Sequence, residues 1–219
     1  IILGPRSGRF GAKGQILPLE PFAASSVPLA TLGVFILWFG WFGFNGGSQL
    51  AAGTLEDITS VATIYVNTNL AACGGVIAGA IISRLIGGKT DVIMMLNGAL
   101  GGLVAITAEP LTPSPSMAIA IGAIGGVIVY LGTKLLFKFK IDDVVGAIPV
   151  HLFAGIWGTL AVPLTNTEKS FGAQLLGVSS VVVSVFVVSF IIWVIMKNTF
   201  GIRISKEAEK TGTDKVEIG

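Results

Sequence analysis

The chain has 219 residues, of which 12% are charged and 53% apolar, with 30 glycines and a formal charge of +2. A soluble domain carries about 25% charged residues, so this composition excludes one. The single cysteine, Cys73, excludes a disulfide or thiolate-metal framework. The apolar residues gather into runs of about 20, the length that crosses a bilayer core, and the chain reads as an all-α polytopic membrane protein.

The first residues, IILGPRSGRFGAKG, form an apolar stub followed by a basic loop. They read as the end of a preceding helix and a cytoplasmic loop (1–22), which makes the chain the C-terminal part of a longer polypeptide. A six-span membrane domain (23–196) and a polar cytoplasmic tail (197–219) follow. The expected spans are 23–45, 58–86, 92–108, 117–137, 144–163 and 173–196. Each must be helical, because lipid offers an open backbone group no partner. The second is long enough to tilt or overshoot, and the third is short.

At the end of the first span stands LWFGWFGFNGGSQL, 37–50, with Trp38, Phe39, Trp41, Phe42 and Phe44 in seven positions. One reading is an interfacial aromatic belt. The other is a cation cage: ring faces attract a small cation, and the Ser48 oxygen accepts a hydrogen bond from it. Such a cage contributes about 2 kcal/mol when desolvated.

The second, third and fourth spans carry the pairs Gly75–Gly79, Gly98–Gly102 and Gly122–Gly126, a spacing that lets helix backbones approach closely. The fifth span holds the one histidine, His151. On a regular helix it shares a face with Val144, Ala147, Ile148, Ala154, Gly155, Gly158 and Thr159, so it is expected to press against protein. It is then either a neutral histidine bonded to a neighbouring helix or a functional group, the default for an ionisable residue inside a membrane. Asp142 and Asp143 precede this span, where carboxylates cap free N–H groups and complement the helix dipole; ion coordination is the alternative. No second ligand stands at metal spacing, and no HExxH or nucleophile-elbow motif occurs, so neither a cofactor nor an enzyme activity is expected.

The basic residues set the orientation. Arg6, Arg9, Lys13, Arg84, Lys89, Lys134, Lys138, Lys140, Lys197, Arg203, Lys206, Lys210 and Lys215 fall on one side, and Lys169 alone on the other. The basic side is expected to be cytoplasmic, with the C-terminus on it. The opposite loops, with Glu56, Asp57, Glu109 and Glu168, are mildly acidic and attract cations.

FGWFGFNGGS (39–48), NTNLAA (67–72), GALGGLVAIT (98–107), DDVVGAIPVHLFAGIWG (142–158) and GIRISKEAE (201–209) together resemble the second half of the ammonium transporter (Amt/Mep/Rh) family. The resemblance covers essentially the whole chain. It implies spans six to eleven of an eleven-helix inverted-repeat channel fold, in a homotrimer with one pore per protomer, in the plasma membrane. It also implies ammonium, or methylammonium as an analogue, as substrate, and membrane lipid and a PII-type regulator as partners; nucleic acid is not among them.

Position by position, Ser48 matches the hydroxyl of the outer ammonium site, Phe44 a gating phenylalanine, and Trp41 the tryptophan on the pore wall. Thr107 matches a pore-side threonine, His151 the second of two pore histidines, and Asp143, beside Asp142, an acidic residue at the cytoplasmic pore end. Gly146 departs from the family, where many relatives place an aspartate. The implied function is ammonium uptake, with recruitment at the outer site, deprotonation, and passage of ammonia through a hydrophobic pore. A sensor of the same fold, which binds without conducting, is the alternative. The tail is expected to be mobile or docked on neighbouring loops, and in the family it participates in regulation.

Overall fold

The computed structural model describes residues 1–11 and 24–217, of which 27–217 are mostly helical with short connections. The main helices are α1 (Val27–Gly47), α2 (Leu55–Gly87), α3 (Val92–Thr107), α4 (Pro115–Lys138), α5 (Ala154–Thr165) and α6 (Phe171–Thr199). A π-helical turn, Ile148–Phe153, runs directly into α5, and two short helices, α7 (Lys206–Thr211) and α8 (Thr213–Glu217), make up the tail. Among the described residues, five helical stretches are long and apolar enough to cross a membrane, and α3 is a shorter apolar helix.

The helix ends follow from local chemistry. Ser26 accepts the Leu29 N–H at 3.2 Å to start α1, with a proline in the first turn. Thr54 and Asp57 form a reciprocal capping box at the start of α2, which ends where Gly88 takes φ 79°. Asp91 caps α3 through the Ile93 and Met94 amides. The second, third, fourth and sixth expected spans agree with α2, α3, α4 and α6 to within three residues.

The first expected span starts too early: α1 begins at Val27, and Ala23 lies outside the described residues. The fifth expected span also starts too early: residues 144–146 are not helical, and helix begins at 147. Two features set the start of the helix there. Gly146 has φ 78°, a conformation that favours glycine. Asp143 gathers the amides of Gly146, Ala147 and Ile148 at 3.0, 3.0 and 2.7 Å.

The chain divides into two compact units. The larger, Ala24–Lys134 with Asp143–Val178, is built around α3. Here the glycine pairs work as backbone contacts. A methyl group on Gly75 would collide with the carbonyl of Gly98, and one on Gly98 with that of Gly75. Gly102 and Gly122 both lie against the Ala71 carbonyl, and Gly158 against that of Ala105. α2, α3, α4 and α5 therefore meet backbone to backbone, which maximises dispersion contact where no hydrophobic effect drives association. Leu103, Ile106, Val129 and Val150 fill the remaining core.

Buried amides tie the loops down. The Asn67 side chain donates to the carbonyls of Pro110 and Pro113 at 3.0 and 2.8 Å, and Asn45 donates to the Thr68 hydroxyl at 3.0 Å. Each of these bonds satisfies a polar group that would otherwise be stranded inside.

The smaller unit comprises the described parts of Ile1–Ala23, Leu135–Asp142 and Ser179–Gly219. Its centre is the Asp142 carboxylate, 2% exposed and held by Arg6 through the backbone amide and two guanidinium nitrogens at 2.7–3.0 Å. Arg9 lies 3.6 Å from the same carboxylate and 4.9 Å from the Phe137 ring. Arg6 holds the Asp142 carboxyl below its usual value and is itself raised by it.

The tail docks rather than trailing free. Glu209 accepts the Ser7 amide at 2.7 Å, the Ser7 hydroxyl at 3.0 Å and the Arg203 guanidinium at 2.9 Å. Arg203 also donates to the carbonyls of Leu3 and Pro5. These bonds, the Ser7 amide first, lower the Glu209 carboxyl.

Candidate functional site

The C-terminal end of α1 brings four of the expected residues together. The Trp41 indole N–H donates to the Thr107 hydroxyl at 2.7 Å, and that hydroxyl donates onward to the Leu103 carbonyl at 2.7 Å. Thr107 is the last residue of α3, so this chain of bonds locks α1 to the end of the central helix. The Phe44 ring meets Trp41 edge to face, with centroids 6.0 Å apart and planes at 75°, a favoured geometry for aromatic pairs. Phe44 is 61% exposed.

Ser48 sits one turn beyond, exposed, and donates to the Phe44 carbonyl at 2.7 Å. That bond uses the hydroxyl proton and turns the oxygen lone pairs outward as acceptors. A hydroxyl acceptor and an exposed aromatic ring one turn apart on the same helix are both groups that attract a small N–H cation. Asn45, buried and bonded to Thr68, stops α1 from rotating at this level.

His151 lies in the π-helical turn Ile148–Phe153 of the same unit. The face expected for it needs correction. At this turn the buried positions are Gly146, Pro149, Val150 and Ala154, while the His151 side chain is exposed and makes no hydrogen bond to any described residue. The reason is the π-helical turn Ile148–Phe153, whose extra residue per turn breaks the 3.6 periodicity used to assign the face. Val150 and Ala154, on either side of His151, belong to the apolar cluster that Trp38 and Trp41 pack against. The histidine and the aromatic group thus rest on one core without touching each other.

The two carboxylates before the turn divide their work. Asp143 caps the turn through its three amide bonds. Asp142 instead pairs with Arg6 and Arg9. Asn97, buried on α3, donates to the Val145 carbonyl at 3.1 Å and braces the same turn. A side chain at position 146 would meet the Asn97 amide nitrogen at 2.8 Å and would need a positive φ, so the glycine belongs to this construction. Sequence reasoning did not single out Asn67, Asn97 or the Ser7–Glu209 pair. The available signal was an amide inside an apolar run, which must find a partner when buried.

The ammonium transporter family model matches residues 1–219. A Synechocystis sp. relative designated an ammonium transporter is 43% identical over 100% of the chain and 50% of its own length. The ammonium transporter Amt2 of Archaeoglobus fulgidus is 39% identical over 99% of the chain and 49% of its own length. Among solved structures, a sensor Amt protein superposes with TM-score 0.90 at 32% identity, covering 100% of this chain and 55% of that one. Mep2 of Candida albicans does so with TM-score 0.80 at 25% identity, covering 94% and 48%. The chain spans about half the length of the curated relatives it matches. With its apolar helices it is a multi-pass membrane protein, and it belongs to the ammonium transporter family.

Proposed function

We propose that this chain supplies half of an ammonium-conducting pore in the plasma membrane, with its tail on the cytoplasmic side. Ammonium is recruited between the free acceptor of Ser48 and the rings of Phe44 and Trp41, then loses a proton. Neutral ammonia passes Phe44 and moves along a hydrophobic path lined by His151. The observation that supports this most directly is the Trp41–Thr107 bond, which holds the indole in a fixed orientation beside Phe44.

The physics favours splitting ion from proton. An uncompensated ammonium ion in a narrow apolar path costs several kcal/mol, whereas ammonia carries no such penalty. A neutral imidazole offers one donor and one acceptor nitrogen, so His151 can hydrogen-bond ammonia or pass a proton to a second histidine. The resemblance assigns that second histidine to the other half of the family's fold. It also supports a homotrimer and regulation by a PII-type protein at the basic face.

The test is uptake of labelled methylammonium by the full protein in proteoliposomes, beside equilibrium binding of the same analogue. Saturable uptake supports the proposal. Binding without uptake assigns the chain to the sensor class, and neither one refutes both.

A further inference from the structure

The peptide unit between Val145 and Gly146 is held at both ends by side chains. In a regular helix the Val145 carbonyl would accept the N–H of the residue four positions on. That residue is Pro149, which has no N–H and whose ring would crowd the carbonyl. The carbonyl therefore has no partner within its own helix and must be satisfied from elsewhere. Asn97 of α3, 8% exposed, supplies the missing donor at 3.1 Å. At the other end of the unit the Gly146 N–H donates to Asp143 at 3.0 Å. Two side chains thus fix one peptide plane, and this is the plane that gives Gly146 its φ of 78°.

The placement of His151 follows from that plane. The Gly146 carbonyl accepts the Val150 N–H at 3.1 Å, so Gly146 sets the position of the residue before the histidine. The wide turn closes where the Ala154 N–H reaches the carbonyls of Pro149 and His151. Val150 and Ala154 are 2% and 0% exposed, in the core that Leu100 and Leu103 of α3 help to build. With both anchored there, the extra residue of the turn leaves the His151 ring off the buried face. A flip of the 145–146 peptide would carry Gly146 to negative φ, let the helix wind back before 147, and turn the imidazole with it.

We infer that Asn97 is a positioning residue for His151: by occupying the carbonyl that Pro149 leaves open, it blocks this flip and holds the turn in the register that presents the imidazole. The inference rests on the pore role proposed above for His151. Asn97 acts through the backbone of the turn, and its loss should impair passage of the substrate without weakening its recruitment at Ser48, Phe44 and Trp41.

The experiment uses the full protein and two readouts: ammonium-evoked current, and the rate at which diethyl pyrocarbonate acylates His151, followed by peptide mass spectrometry. Asn97→Leu keeps the volume and removes the donor. It is expected to lower the maximal current per folded protein about tenfold or more, to leave the half-saturating ammonium concentration unchanged, and to raise the acylation rate at His151 severalfold. Gly146→Ala disturbs the same peptide from the other side, since its methyl group meets the Asn97 amide nitrogen at 2.8 Å on a positive φ. It should reproduce the pattern, and it serves where Asn97→Leu fails to fold. Ser83→Ala removes a different buried bond, to the Asp91 amide at 3.2 Å, and should lower the melting temperature with both readouts unchanged. A parent without current refutes the pore reading, and the acylation rate then decides the inference alone. Acylation at the parent's rate in Asn97→Leu and Gly146→Ala, or an unchanged maximal current where the parent conducts, overturns it. So does the same pattern in Ser83→Ala, which would mark a general loss of stability.

Discussion

α3 and α6 are both apolar helices, and they solve opposite problems. α3 has 16 residues and spans about 24 Å, less than a bilayer core. It is nonetheless buried over most of its length, from Asn97 through Ile106. α6 has 29 residues, is the most apolar of the spans, and buries none of them within the chain. In water, greater apolarity would predict greater burial. In a membrane, lipid accepts apolar side chains as readily as protein does, so the small residues mark the protein interior instead. Gly98, Gly101 and Gly102 bring α3 to its neighbours' backbones, and that shielding lets a short helix sit at membrane depth.

The sharpest way to break this contrast is to add bulk where backbones touch. Gly122→Val pushes side-chain atoms into the Ala71 carbonyl and should cost ~3 kcal/mol or more. Loss of monodisperse protein in detergent gel filtration is the expected result. A smaller effect should follow Thr107→Val, which strands the Trp41 indole N–H and costs roughly 1–3 kcal/mol. It should lower methylammonium uptake along with the melting temperature.

The clamp in the smaller unit provides a pH-dependent test. Its Asp142 carboxyl is depressed by Arg6 in the folded state, below the ~3.9 of an unfolded chain. The stabilisation is therefore fully present above the unfolded value and is lost as pH falls through the folded one. Protease protection of the opening segment should hold at neutral pH and fade in acid, and Asp142→Asn should weaken it even at neutral pH. The least effect belongs to α6: Val183→Ala, on an exposed position, should shift stability by less than ~0.5 kcal/mol in the same melting assay.

Much of the helix plan was legible because span length and charge asymmetry are properties of the chain itself. The glycine pairs were legible for the same reason, since four-residue spacing defines one helix face. The face of His151 was not. A π-helical turn leaves no periodic mark in IPVHLF, and the capping by Asp143 that precedes it depends on a glycine conformation seen only in three dimensions. The Ser7–Glu209 bond was equally hidden, because it joins positions 202 residues apart. Composition called the tail polar; only its partners show why it docks.

The central claim concerns His151 and the path that carries ammonia away from its proton. Ammonium-evoked current across a solid-supported membrane containing the full protein tests it directly, comparing the parent with His151→Ala at matched protein density. The account predicts a saturable current in the parent and its loss in the variant, with the variant still folded by gel filtration. An unchanged current in His151→Ala would contradict it.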